Sequence, residues 1–120
     1  MQAALVRWAA WHADQCPALH LLMAVPNGGA RSKATAGKLK AEGVRAGAPD
    51  LILPCPRGGK TGLALEFKAG KDSLSPAQLN MRSQLMLEGW EYVVVTEWPR
   101  GAMTLIRYLG MPEELVAELQ

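Results

Sequence analysis

Leu5, Trp8 or Ala9, and His12 recur at the spacing of one helical face, so residues 2–15 read as a helix that Pro17 ends. The short apolar run 19–25 lies between Pro17 and Pro26-Asn27-Gly28-Gly29 and predicts a strand. Residues 32–42, rich in Lys and Ala, predict a second helix stopped by Gly43. Gly47-Ala48-Pro49 then interrupts the chain, and Asp50 opens a strand over 51–53. A loop dense in Pro and Gly, 54–62, leads to an antiparallel partner over 63–69. There Leu63, Leu65 and Phe67 alternate with Ala64, Glu66 and Lys68, which puts both charged groups on one surface.

Ser75-Pro76-Ala77-Gln78 has the form of a capping box, with Pro at the first helical position, and predicts a helix over 76–88 ended by Gly89. Residues 90–96 read as a strand whose Val93-Val94-Val95 run is buried on both faces. The pattern leaves 103–109 open between strand and helix and ends in a helix over 112–119. The expected architecture is a single α/β domain over 1–120, a mixed sheet sandwiched by helices.

A chain of 120 residues can bury about two-thirds of its unfolded surface, so a core needs no staples. Cys16 and Cys55 have no partner at metal-ligand spacing and read as reduced thiols, Cys16 packed in a helix. No apolar stretch is long enough to span a bilayer, and the first ten residues carry helical periodicity rather than the look of a cleavable leader. A cytoplasmic protein is expected.

The net charge of +2 conceals a segregation. Residues 31–71 hold nine Lys and Arg against Glu42, Asp50 and Glu66, whereas 72–120 hold three Arg against seven acids. One basic face for a polyanion is one reading, and a solvated loop and helix without a partner is the other.

The candidate chemistry lies in Asp50, Glu66 and Lys68. A phosphodiester is anionic and its leaving alkoxide is poor; Mg²⁺ offsets both by neutralising charge and acidifying a bound water. That ion keeps several waters and needs only one or two carboxylates, which Asp50 and Glu66 supply, while Lys68 is placed to orient or deprotonate the attacking water. The competing reading is an exposed Glu66 and Lys68 pair on a strand, with Asp50 capping a turn after Pro49.

Asn27-Gly28, Arg31, Gly43, Gly47-x-Pro49-Asp50-Leu51, Glu66-Phe67-Lys68, Ser75-x-x-Gln78 and Gly89 together resemble the VRR-NUC family, the virus-type replication-repair branch of the PD-(D/E)xK nucleases. The resemblance runs from the first helix to about Thr96. It implies a restriction-endonuclease-like fold, Mg²⁺ (with Mn²⁺ as a substitute) held by Asp50, Glu66 and the main-chain carbonyl of Phe67, and a catalytic Lys68. It also implies that Gln78 reaches the site from the following helix, in competition with its place in the capping box.

Relatives usually carry a Glu early in the first helix that contributes to the metal site, whereas this chain has no acid before Asp14, which implies weak metal affinity or a single ion. Stand-alone members resemble enzymes of bacteria or of phage-infected bacterial cells that cut branched DNA, such as four-way junctions, as homodimers. The candidate DNA-binding residues are Asn27, Arg31, Lys33, Arg45, Lys60 and Lys71; helix solubility is the alternative role for the lysines of 32–42. Two other readings stay open, a non-selective or nicking nuclease and a DNA-binding module without turnover.

Gly58-Gly59-Lys60-Thr61 looks like the end of a P-loop, but Pro54 stands where the first Gly belongs and a strand follows, so no nucleotide cofactor is expected. His12 and His20 lack partners at ligand spacing, and Trp8, Trp11, Trp90 and Trp98 read as core or interface anchors.

Overall fold

Local capping and turn chemistry place most of the elements. The computed structural model describes residues 1–26 and 32–120. Helix α1 (Gln2–His12) is followed by a 3-10 turn (Pro17–Leu21), strand β1 (Met23–Ala24), helix α2 (Lys33–Ala41) and strands β2 (Leu51–Leu53) and β3 (Leu63–Phe67). Helix α3 (Pro76–Leu87), strand β4 (Glu91–Val95), and helices α4 (Trp98–Leu109) and α5 (Glu114–Ala117) complete the order.

The strand expected over 19–25 is mostly absent. Pro17 starts a tight 3-10 turn with its φ already set, which leaves only Met23 and Ala24 to pair with β2. The segment left open at 103–109 is helix, and α4 starts earlier, at Trp98 with Pro99 in its first turn. Cys16 caps the 3-10 turn rather than lying in a helix, and neither cysteine is bonded to the other.

The sheet runs β1-β2-β3-β4, antiparallel in its first two pairings and parallel between β3 and β4. A parallel pair needs a crossover, and α3 provides it. One face of the sheet carries Leu51, Leu53, Leu63, Leu65 and Val95, which pack with Leu5 and Ala9 of α1 and with Ala102, Leu105 and Ile106 of α4 in a single cluster. Met81 and Leu85 of α3 gather with Ile52 and Trp90 around a cleft on the other side. The sheet is therefore sandwiched by helices, as its pattern implies.

Two expectations about burial fail on that second side. Val94 is 41% exposed, so the valine run is not buried on both faces. Glu66 shares no open surface: it is only 2% exposed. Alternation along β3 correctly divides the side chains between the faces; what it does not contain is the cover laid over one of them. Trp8 and Trp98 pack against the core, whereas Trp11 is 83% exposed and anchors nothing within the chain. Among the described residues no helix is long and apolar enough to cross a membrane.

Candidate active site

The end of β2 makes the site. Its register with β3 sets Leu51 against Leu65; one step further sets Asp50 against Glu66, and two steps set Pro49 against Phe67. Facing residues of an antiparallel pair share a side of the sheet, so the two carboxyls meet on the face opposite the leucine core. Proline has no N–H, so the ladder cannot continue at Pro49 and the Phe67 carbonyl is denied the donor that any other residue there would supply. The Phe67 N–H is taken up by a side chain instead, donating to Asp50 Oδ2 at 2.7 Å. One proline thus frees a carbonyl oxygen beside two carboxylates.

Gly47 positions this segment. Its φ is +81°, and a Cβ there would run into the Ala77 carbonyl and lie 2.8 Å from the Gln78 nitrogen. The turn before Asp50 therefore presses directly on the N-terminus of α3, and only glycine allows both the backbone conformation and the approach.

Glu66 Oε1 is buried without a hydrogen-bond partner among the described residues. Burial pushes the Glu66 carboxyl up to about 8, helped by a hydrogen bond to Asp50 and by that group's negative charge, while the Lys68 ammonium pulls the other way. Two carboxyls in hydrogen-bond contact cannot both ionise cheaply. A hard cation between them would relieve the repulsion and use the orphaned oxygen. Among the described residues there is no cluster of three or more His, Cys, Asp or Glu; the two carboxylates and the Phe67 carbonyl are oxygen donors that would suit Mg²⁺ with its retained waters.

Tyr92 is a residue the sequence reading missed. It pairs with Ala64 and so shares the face of Glu66, its hydroxyl is buried without a partner among the described residues, and burial with the charges of Glu66 and Asp50 pushes it up to about 12. It is thus an O–H donor at any working pH. Period-two alternation through 90–96 would have revealed it, had the strand not been taken as apolar on both sides.

Lys68 is half-buried, two residues beyond Glu66 on the same strand face, with its N–H donating to the Val95 carbonyl at 2.9 Å. The capping box at α3 is complete: the Gln78 N–H donates to Ser75 Oγ at 3.2 Å, and Gln78 Oε1 accepts from the Ser75 N–H at 2.9 Å. The cap uses the oxygen of Gln78, and the Nε2 protons are the part a phosphate could take. Gln78→Glu keeps the accepting oxygen and places a negative charge where the helix dipole favours it, so melting temperature should be held or raised. If Nε2 also meets substrate, the same variant cuts about tenfold more slowly or worse; an unchanged rate would confine Gln78 to the cap.

The other predicted contacts scatter. Lys33 opens α2, Arg45 donates to the Lys40 carbonyl at 3.4 Å in the loop after it, and Lys71 lies exposed between β3 and α3. Lys60 lies at the far end of β3, 3.9 Å from Glu91, away from the carboxyls. Asn27 and Arg31 fall outside the described residues.

A mixed sheet between helices, with opposed acids on adjacent strands and a lysine two residues past the second, is the arrangement of a restriction-endonuclease-like fold. The VRR-NUC domain family model matches residues 2–97, and the chain belongs to that family. A solved structure described as a VRR_NUC domain protein superposes with a TM-score of 0.74 at 28% identity, over 92% of this chain and 85% of that one. No curated protein sequence matches significantly. The chain is thus a member of a nuclease family, for which DNA is the expected substrate class.

Proposed function

We propose that the protein is a divalent-metal-dependent endonuclease that hydrolyses DNA phosphodiesters, with branched DNA such as four-way junctions as its substrate. The observation that carries this reading is the buried Glu66 carboxyl, with one oxygen unpartnered, set against Asp50 beside the Phe67 carbonyl. Asp50, Glu66 and that carbonyl would hold Mg²⁺, or Mn²⁺ in its place. When bound, the ion supplies charge neutralisation at the phosphate and a more acidic water.

The chain's own groups divide the remaining work. The Lys68 ammonium, on the same face as Glu66, donates to the attacking water or to a phosphoryl oxygen as negative charge gathers there. Tyr92, an O–H beside both acids with no acceptor among the described residues, orients a water at the same site. Water oxygen forms the new bond to phosphorus, the bond from phosphorus to the 3′ oxygen breaks, and the departing oxygen takes a proton, leaving 5′-phosphate and 3′-hydroxyl ends. Burial of Glu66 keeps competing water from its second oxygen.

A four-way junction has two-fold symmetry, so two copies related by a dyad would cut opposed strands. Exposed Leu79, Met86 and Leu87 on α3, and Val6 and Trp11 on α1, are apolar surface of the kind a homodimer contact covers. One observation favours binding without turnover: the first turn of α1 carries no acid.

Cleavage assays on labelled junction, duplex and single strands with Mg²⁺, Mn²⁺ or EDTA test the proposal. Junction should be cut with either metal and not in EDTA, and Lys68→Ala should slow cutting about 100-fold or more while binding persists. Tight binding with no metal-dependent cutting by the unaltered protein would leave only the binding module. Equal cutting of linear duplex would remove the preference for junctions.

A further inference from the structure

We infer that a second phosphate-binding site lies on the opposite face of the sheet from Asp50 and Glu66, in the cleft between the β2–β3 hairpin and α4. The cleft holds about 450 Å³ and gathers Arg57 and Lys60 from the hairpin with Arg107 from α4, over a floor that includes Leu63, Val93 and Tyr108. Leu63 begins β3 and Glu66 lies three residues on, so the two sites are separated by about 10 Å along the strand and by the thickness of the sheet.

The hairpin tip shows why cations converge there. Arg57 and Lys60 exchange both backbone hydrogen bonds, at 3.1 and 2.8 Å, around Gly58 and Gly59 with φ of +53° and +80°. That is the two-residue turn with both central residues left-handed, which demands glycine or a near substitute at each place. Residues that pair directly across such a turn project to the same side, so a positive charge stands opposite a positive charge. Like charges so placed repel, and nothing in the turn itself requires them.

Arg107 brings a third cation from α4. The nearby acids do not cancel the set. Glu91 stands 3.9 Å from Lys60, and Glu113 lies 4.0 Å from Arg107 with both side chains largely in solvent. Arg57 spends one N–H on the Pro56 carbonyl at 2.8 Å, which leaves four of its five donors. The Gly58 and Gly59 N–H groups have no acceptor among the described residues.

The hydroxyls of the cleft are committed elsewhere. Tyr108 donates to the Cys55 carbonyl at 2.7 Å, bracing the hairpin against α4, and Thr104 donates to the Arg100 carbonyl at 2.9 Å. Recognition therefore falls to two guanidinium forks and an ammonium, which suit a tetrahedral oxyanion. Three cations against Glu91 and Glu113 leave one net positive charge, which favours a phosphate anion. The ligand is a phosphate group, carried by a nucleic-acid backbone or by a phosphomonoester in solution. The site stands without the hydrolytic reading, because none of its groups touches the carboxyl pair.

Amide NMR spectra of the full chain in EDTA, titrated with inorganic phosphate at constant ionic strength, test the site. The Gly58, Gly59, Lys60 and Thr104 signals should shift saturably while those of Asp50 and Glu66 stay in place. Arg57→Gln and Arg107→Gln should each weaken phosphate about tenfold, and Arg7→Ala, on the outer face of α1, should not. Competition then identifies the source: displacement by an oligothymidylate without terminal phosphate assigns a backbone phosphate, and displacement only by a 5′-mononucleotide assigns a phosphomonoester. Linear, unsaturating shifts, or unchanged affinity in the double variant with its spectrum still dispersed, would overturn the site.

Discussion

Glu66→Gln should abolish strand cleavage and at the same time raise the melting temperature of the metal-free protein at alkaline pH. Both effects have one cause. In the folded chain the Glu66 carboxyl is pushed up to about 8, against an ordinary value of 4.5, by burial and by Asp50. Its protonated form is the one that suits the fold. Below about 4.5 the group is protonated in both folded and unfolded chains and stability is undiminished. As pH rises the unfolded chain releases its proton first, so stability is lost progressively until the folded group also ionises near 8.

An amide keeps the shape and never ionises, so the variant should lack this loss. Above pH 8 in EDTA it should melt about 5 °C or more above the parent, since an unpaired buried polar group costs about 1–3 kcal/mol. With a divalent cation the order should invert, because only the parent gains a ligand that binds the folded state. Cutting should fall by about 1,000-fold or more through loss of charge at the phosphate. Melts from pH 5 to 9, with and without Mn²⁺, read the first part, and the junction assay reads the second. A variant less stable than the parent at every pH would show that Glu66 is stabilised as a carboxylate by groups other than a metal.

Gly47→Ala should be the most damaging single methyl on this side of the sheet. The new Cβ would overlap the Ala77 carbonyl at a φ of +81°. The two routes to relief are moving α3 off the turn or twisting the turn that delivers Asp50. Such clashes at left-handed positions cost on the order of 2–4 kcal/mol. Because the strain falls between Pro49-Asp50 and Gln78, cutting should drop further than stability does, by about 100-fold even where the protein is still fully folded. Gly37→Ala is the control: nothing lies within 4 Å of a Cβ there. In mid-helix it should be neutral or slightly stabilising. Equal activity for Gly47→Ala and the parent would mean that the turn does not set the position of Asp50.

What could be read from the residues alone was what local chemistry decides. The capping box at Ser75 and the glycine after α3 concern groups a few positions apart, and the structure has both. Pro49-Asp50 and Glu66-Phe67-Lys68 could be singled out as types, because a metal site of this kind needs few ligands.

The strand register could not be read in advance, and on it depends the meeting of Asp50 with Glu66 and of Pro49 with Phe67. The cover over Glu66 is tertiary as well, which is why a charged residue in an alternating strand looked like surface. Helix α4 was obscured because Gly101 argues against helix locally. Its place is explained by Leu5, which a side chain at that position would strike at 2.7 Å, with Val95 in ordinary contact beside it. At 17–21 the local signal was present and misweighted: a proline that starts a 3-10 turn is not a boundary to a strand.

Gln78 stands where its two readings meet, and the structure shows the capping one. Its oxygen closes the cap, yet the helix end that it caps lies against the turn before Asp50. The clustered basic residues divide in the same way. Arg45 and Lys71 flank the segments that bear the acids, whereas Lys60 belongs with Arg57 and Arg107 on the other face.

Crystals soaked in Mn²⁺ and measured at the manganese edge examine the carboxyl pair most directly. The arrangement of Asp50 against Glu66, with a carbonyl released by Pro49, predicts an anomalous peak bonded to both side chains and to the Phe67 oxygen, absent from Asp50→Ala crystals. No peak between the two acids at a manganese concentration that supports cutting, or a peak bonded to other residues, would contradict it.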